Sequence, residues 1–215
     1  MACDTMDSMP AAAAKLPLAA GTSPFAIKGA GYCGVVRLVA RKVRGGFVAL
    51  ARALDDAELL AFVRQPFHPA RRYDVLPMLP INAAIARVMG KPLEILAAEQ
   101  GIAQACHDIQ YAYRRMFETT TLEALHKSVP RLADPYFDFG QCTADRVGAG
   151  HLVVRRRRVP EYVLPWFAPA QTSYLEEFVR WKGARVVRAT LLPPASAGVQ
   201  DGLTLVDLAT EVRWA

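Results

Sequence analysis

The stretch that decides the fold runs from residue 136 to residue 159, YFDFGQCTADRVGAGHLVVRRRRV. Upstream of it, apolar residues return every three or four positions, the spacing of one buried helix stripe. Here that period stops. Tyr136 to Val147 and His151 to Val159 flank Gly148-Ala149-Gly150, and two such runs around a glycine turn predict a pair of antiparallel strands. The helical period then resumes. Pro165 stands at a helix start, Phe167, Ala170, Tyr174, Phe178 and Trp181 share one face, Glu176 and Arg180 form an i,i+4 pair on the solvent side, and Gly183 closes the element. Residues 184–192 and 202–214 read as a second hairpin around a Pro-Ala-Ser-Gly turn region. Leu203, Leu205, Leu208 and Val212 give its last strand a roughly alternating apolar pattern. A lone hairpin is marginal in water, so the strands are expected in one sheet covered by helices.

The N-terminal half is helical. Val35, Leu38, Val39 and Val43 face one way and Arg37, Arg41 and Arg44 the other, in a short helix closed by Gly45-Gly46. Phe47 to Leu54 gives a turn or two more, and Asp55-Asp56 offers an N-cap for residues 57–63. Pro66 and Pro69 make a stiff loop of Phe67-His68. Tyr73 starts a helix broken or kinked at Pro77 and Pro80 and stopped at Gly90, and Pro92 sits in the first turn of the next element. Ile102, Cys106, Ile109, Tyr113 and Met116 predict a helix over 101–117, with His107, Tyr111, Arg114 and Glu118 on its second face; another helix follows Thr121 and ends at Pro130. The expectation is an α+β fold, a helical N-terminal half packed on a C-terminal four-stranded antiparallel sheet in hairpin–helix–hairpin order. Residues 1–24 are expected as a disordered tail and 25–215 as a single domain.

Composition agrees. Of 215 residues 53% are hydrophobic and 21% charged, enough apolar surface to exclude a disordered or low-complexity chain. A net charge of +6 permits an acidic partner without requiring one. Cys3, Cys33, Cys106 and Cys142 are far apart and form no C-x-x-C pair, which argues against zinc and against a disulfide framework and favours a cytoplasmic protein. The N-terminus carries Asp4 and Asp7 instead of a basic region, and Pro10 and Pro17 interrupt its apolar run, so it is not read as a signal peptide. No run is long enough for a membrane helix.

Several features recur in order: Lys28-Gly29, Phe67-His68-Pro69, Gly101 to Ala105, Pro135-Tyr136-Phe137-Asp138, Gly183 to Val187 and a closing Arg213-Trp214. In this order, over roughly Ile27 to Trp214, the chain resembles an uncharacterised paralogous family best known from myxobacteria. That family is similar in layout to the fold shared by trafficking-complex subunits, four-vinyl-reductase domains and haem-nitric-oxide-binding domains. The resemblance implies helices on a C-terminal antiparallel sheet around an apolar pocket, and a sensory, binding or interaction module instead of an enzyme. The chain departs from the four-vinyl-reductase pattern in residues 193–208, which hold no cysteine.

No catalytic set or metal cage emerges, and the sequence names no cofactor. No serine lies in G-x-S-x-G, and Cys106 and His107 point about 100° apart on a helix. Gly29-Ala30-Gly31-Tyr32-Cys33-Gly34 spells G-x-G-x-x-G without the βαβ unit a dinucleotide requires. The leading reading is a non-enzymatic module that binds a small hydrophobic ligand or a partner protein, with a homodimer left open. Tyr111, Tyr113, Trp166, Phe178 and Trp181 are its candidate pocket liners. A second reading makes Arg155, Arg156, Arg157 and Arg158 an anion or nucleic-acid patch, extended by Lys42, Arg71 and Arg72, against the plainer expectation of an edge strand protected by charge. A third takes His107 as the axial ligand of a haem sensor.

Overall fold

The computed structural model describes residues 15–215. Strand β1 (Ala26–Lys28) runs straight into helix α1 (Gly29–Lys42), followed by α2 (Gly46–Leu54) and α3 (Ala57–Arg64). The Asp56 side chain caps α3 by accepting from the Leu59 amide at 3.0 Å, as its sequence position predicts. Strand β2 (Arg72–Asp74) returns antiparallel to β1. Tyr73 therefore lies on a strand and starts no helix; α4 (Met78–Met89) begins after Pro77, and Pro80 fits in its first turn. The glycines at the start of α1 do not delay it. Gly29 opens the helix because the loop carbonyl of His68 lies where a Cβ would stand. Tyr32 holds this end together: fully buried, it stacks on Phe67 at 4.5 Å and donates its hydroxyl to the Asp74 carbonyl at 2.6 Å. Of the segment expected as a tail, residues 1–14 lie outside the described residues, while Leu16 and Leu18 pack on the core.

Next come α5 (Leu93–His107), a π-helical turn (Asp108–Ala112), α6 (Arg114–Thr119) and α7 (Leu125–Ala133). This corrects the expected helix over 101–117. Gly101 lies inside α5, and the stretch is interrupted at Asp108, where the Tyr113 amide donates to the Asp108 carbonyl. The buried stripe of α5 is Leu96, Ala97, Gly101 and Ala105, continued by Asp108 and Ile109, so Ile109 lies on the expected stripe while Ile102 is exposed.

The C-terminal half holds β3 (Cys142–Gly148), β4 (His151–Pro160), α8 (Leu164–Arg180), β5 (Arg188–Leu191), β6 (Ala195–Gln200) and β7 (Leu203–Arg213). The antiparallel sheet has five strands, not the expected four. The extra one, β6, comes from the region read as a turn. It pairs with the first half of β7 while β5 pairs with the second half, and Asp201-Gly202, both at positive φ, make the turn between β6 and β7. β7 is thus central, with β4 on its other side and β3 beyond.

The arginine run is also corrected. β4 is an interior strand, so Arg155–Arg158 do not guard an edge, nor do they alternate two per face. Arg155, Arg157 and Arg158 are exposed; Arg156 is buried at 3% exposure. A β-bulge between Arg156 and Val159 sets Arg157 and Arg158 opposite Asp207, whose carboxylate accepts from the Arg158 amide at 2.8 Å.

Two apolar clusters result. The first joins α1–α4 to Phe139, Trp166, Phe167 and the start of β7. The second joins α7 to Phe117, Leu152, Val154, Leu175, Phe178 and Val212. Helix α8 serves both, and α5 crosses it where Gly101 meets the Ala170 backbone. A Cβ at Gly101 would overlap the Ala170 carbonyl oxygen, whereas one at Gly34, within α1, would meet open space. Gly34→Ala is expected to stabilise by about 0.5–1 kcal/mol through helix propensity. Gly101→Ala is expected to destabilise by roughly 1–3 kcal/mol despite the same propensity gain, because a backbone carbonyl cannot move aside as a side chain can. Thermal melts of the two variants check the opposite signs; a stabilised Gly101→Ala would show that the helices do not touch there.

Candidate ligand cavity

Between the two clusters lies a cavity of about 670 Å³. One wall is α1, with Ala30, Gly34 and Leu38; another is α5, with Leu96, Gln100, Ala103, Gln104 and His107. Trp166, Phe167, Ala170, Gln171 and Tyr174 from α8 face it, Val154 and Arg156 from β4 form the sheet side, and Val129, Leu132, Tyr136 and Phe137 complete it. Most of this wall is apolar. Its rim carries Arg37, Lys42 and Glu99.

The polar groups fall into three sets. Asp108, 1% exposed, is held by three donors: Gln104 Nε2 at 2.8 Å and Tyr136 Oη at 3.0 Å on Oδ1, and Tyr174 Oη at 3.1 Å on Oδ2. Burial pushes its carboxyl pKa up and outweighs those bonds, and burial together with the Asp108 charge raises both tyrosines. The second set links Trp166 Nε1 to Gln100 Oε1 at 3.1 Å, and Gln100 Nε2 to Asn82 Oδ1 at 2.6 Å. The third is unsatisfied. Among the described residues Arg156 Nη1 and Gln171 Oε1 are buried with no partner, although Gln171 Nε2 donates to Thr210 Oγ1 at 3.2 Å. The Arg156 guanidinium lies over the Phe137 ring at 4.7 Å and the Phe167 ring at 5.8 Å. Burial lowers its pKa, against smaller upward effects of Cys142 and Asp134.

Of the five aromatic candidates the cavity takes Trp166. Phe178 belongs to the second cluster, one turn beyond Tyr174 on the same face of α8 and stacked on its ring, past the end of the cavity. Tyr111 is 72% exposed, and with Tyr113 it borders a shallow depression over Arg114–Glu118. Trp181 follows α8, with its indole N–H on Glu177 Oε1 at 2.9 Å. The helical stripe marked which residues turn inward but not which of two inward regions they reach. His107 lies on the cavity wall, its Nδ1 at 3.7 Å from Asp108 Oδ1 and its ring near Tyr111. The basic patch is divided: Arg155 pairs with Asp145 on the outer face, Arg158 donates to Gln200 Oε1 at 3.0 Å, and Arg156 faces the cavity. Asp108, Gln104, Tyr136, Tyr174 and Gln171 were not singled out from sequence as liners. A carboxylate next to Ile109 on an apolar stripe was the available signal, but the π-helical turn hid which face it joined.

No protein-family model matches the chain, and no curated protein matches it by sequence. Solved structures do. A variant of the H-NOX protein of T. Tengcongensis superposes with a TM-score of 0.58 at 11% identity, over 87% of this chain and 97% of its own. An Fe(II) unliganded H-NOX variant from K. algicida gives 0.60 at 12% identity, over 88% and 97%. A Cs H-NOX variant gives 0.59 at 11%, over 87% and 96%. The fold is H-NOX-like.

Asp108 also sets a pH dependence. Its raised pKa means the folded state holds the proton more tightly than the unfolded one, so this carboxyl lowers stability as pH rises from the unfolded value near 4 through the folded one. Asp108→Asn removes that loss. Its melting temperature relative to wild type is expected to rise between about pH 4 and pH 7, and a difference that stays flat with pH would contradict the assignment.

Proposed function

We propose that the chain is a ligand-binding module, sensory in kind, whose cavity takes a largely apolar small molecule. The observation that carries this is the cavity itself. Its volume of about 670 Å³ falls in the range of small-molecule sites, roughly 300–1,000 Å³, and it pairs apolar walls with a few convergent polar groups. It lies between two apolar clusters that α8 links, so a ligand filling it would touch both. The sensory part rests on the resemblance in layout and on the H-NOX-like fold. Among the described residues no helix is long and apolar enough to cross a membrane, and the scattered cysteines support a cytoplasmic place of work. A partner protein or a second copy of the chain would read the bound state.

Haem in the same cavity is the second reading. Titles of H-NOX structures that share this fold speak of heme distortion and heme redox potential. The donor set fits: His107 would offer a ring nitrogen to the iron, and Arg37, Lys42 and Arg156 would offer cations to the group's carboxylates. Bound there, haem would supply an iron able to take a diatomic gas. This reading ranks second because the one imidazole on the wall is 46% exposed, while the most buried open donor is a guanidinium.

Native mass spectrometry of gently purified protein is expected to show an added mass that denaturation releases. An absorption spectrum separates the two readings. A Soret band that disappears in His107→Ala selects haem, whereas colourless protein carrying an organic mass selects the first. Protein that stays bare and takes up neither haem nor lipid would refute both.

A further inference from the structure

Arg156 is a charge without a counter-ion. It is 3% exposed, forms no ion pair among the described residues, and leaves Nη1 without a hydrogen bond. A buried guanidinium stays protonated and loses its hydration, so it is normally paired. The nearest acidic influences are Asp134, whose Oδ1 already accepts from the Cys142 amide at 3.2 Å, and the neutral Cys142 thiol. The guanidinium carbon lies over the Phe137 ring at 4.7 Å and the Phe167 ring at 5.8 Å, which attracts the charge but leaves its N–H groups unused.

Its surroundings give those N–H groups a direction. Arg156 and Val154 are on the same face of β4, and both wall the cavity. Gln171, with its own open Oε1, is held by Thr210, the register partner of Val154. Two unsatisfied polar groups thus lie near each other on the sheet side of the chamber, whose other buried polar groups, Asp108 and Gln100 among them, are already hydrogen-bonded.

We infer that the cavity's ligand is an amphiphile with a single anionic head, which pairs with Arg156 against the sheet while its apolar body lies between α1, α5 and α8. This rests on the ligand-cavity reading and names the ligand's class. The guanidinium fork matches a carboxylate or a phosphate monoester with two parallel N–H···O bonds, and the open Gln171 Oε1 accepts from a protonated head oxygen or from a bridging water.

The test uses the full chain stripped of co-purified lipid and titrated calorimetrically with dodecanoate, dodecyl phosphate and dodecanol, all below micellar concentration. Dodecanoate or dodecyl phosphate is expected to bind about tenfold or more tightly than dodecanol, the size of a charge-assisted hydrogen bond; the tighter of the two identifies the head. In Arg156→Met the preference for an anion should fall to about one while dodecanol affinity is kept. That variant should melt no lower than wild type without ligand, because it removes an unpaired buried charge. Should it fail to fold, Arg156→Lys takes its place, with the charge kept and the fork lost, and a preference that shrinks but persists. Equal affinities for dodecanoate and dodecanol in wild type, or a preference that survives in Arg156→Met, would overturn the inference and leave the cavity reading standing. If none of the three binds, the inference is overturned too, and the cavity reading is decided by the native mass spectrum and haem uptake.

Discussion

The close crossing of α5 and α8 is the constraint on which the rest depends. Gly101 lets the α5 backbone come against the Ala170 carbonyl, and a polar clamp lies on each side of that point. Toward one end Gln100 accepts from Trp166; toward the other Asp108 accepts from Tyr174. With its position set twice, α8 gives Trp166 and Phe167 to one cluster and Leu175, Phe178 and Val179 to the other. The cavity lies where those two clusters fail to meet. It is a consequence of the crossing, because neither cluster can slide along α8 to close it.

The cavity treats its two buried charges differently. Asp108 is fully served by Gln104, Tyr136 and Tyr174, which join α5, the 136–138 segment and α8 into one network. Satisfied networks of this kind rigidify a wall. Arg156 receives only aromatic faces and the distant influence of Asp134. An unsatisfied buried group normally costs more than a made bond contributes. The contrast separates structural polarity from polarity held open, and it is the basis for reading Arg156 as the ligand's contact.

Much of the fold was legible because each element carries its own period or stop signal. The Asp56 cap and the turn at Gly148-Ala149-Gly150 are local facts that tertiary contacts did not override, and the face expected for α8 holds from Phe167 to Phe178 but not at Trp181, which follows the helix and is exposed. The errors have particular causes. Strand β6 hid in a run of Pro, Ala, Ser and Gly because its pairing comes from β7 and not from its own propensity, although Asp201-Gly202 marked the hairpin. Gly101 looked like a helix boundary because sequence does not show a second helix pressing on it. The site was less legible still. His107 and Trp166 lie on the cavity wall, but the four arginines are identical in sequence, and what distinguishes Arg156 is the register of β4 against β7 and Cys142.

That register carries one more consequence. With strict alternation from Val154, both Arg156 and Arg158 would point into the chamber. The bulge adds one residue, so Val159 takes the inward place and the Arg158 amide turns to Asp207. Arg158 pays for the turn with a φ of 52°, a left-handed conformation that an L side chain rarely adopts. One inward arginine is thereby moved to the surface, where Gln200 receives it, while its neighbour two residues earlier stays inside. Moved two residues earlier, the same bulge would turn Arg156 outward but bring Arg157 inward, so the run would keep one inward arginine in either place. The kink falls where it keeps a single guanidinium at the seam between the two clusters, which is the arrangement an anionic ligand head would require.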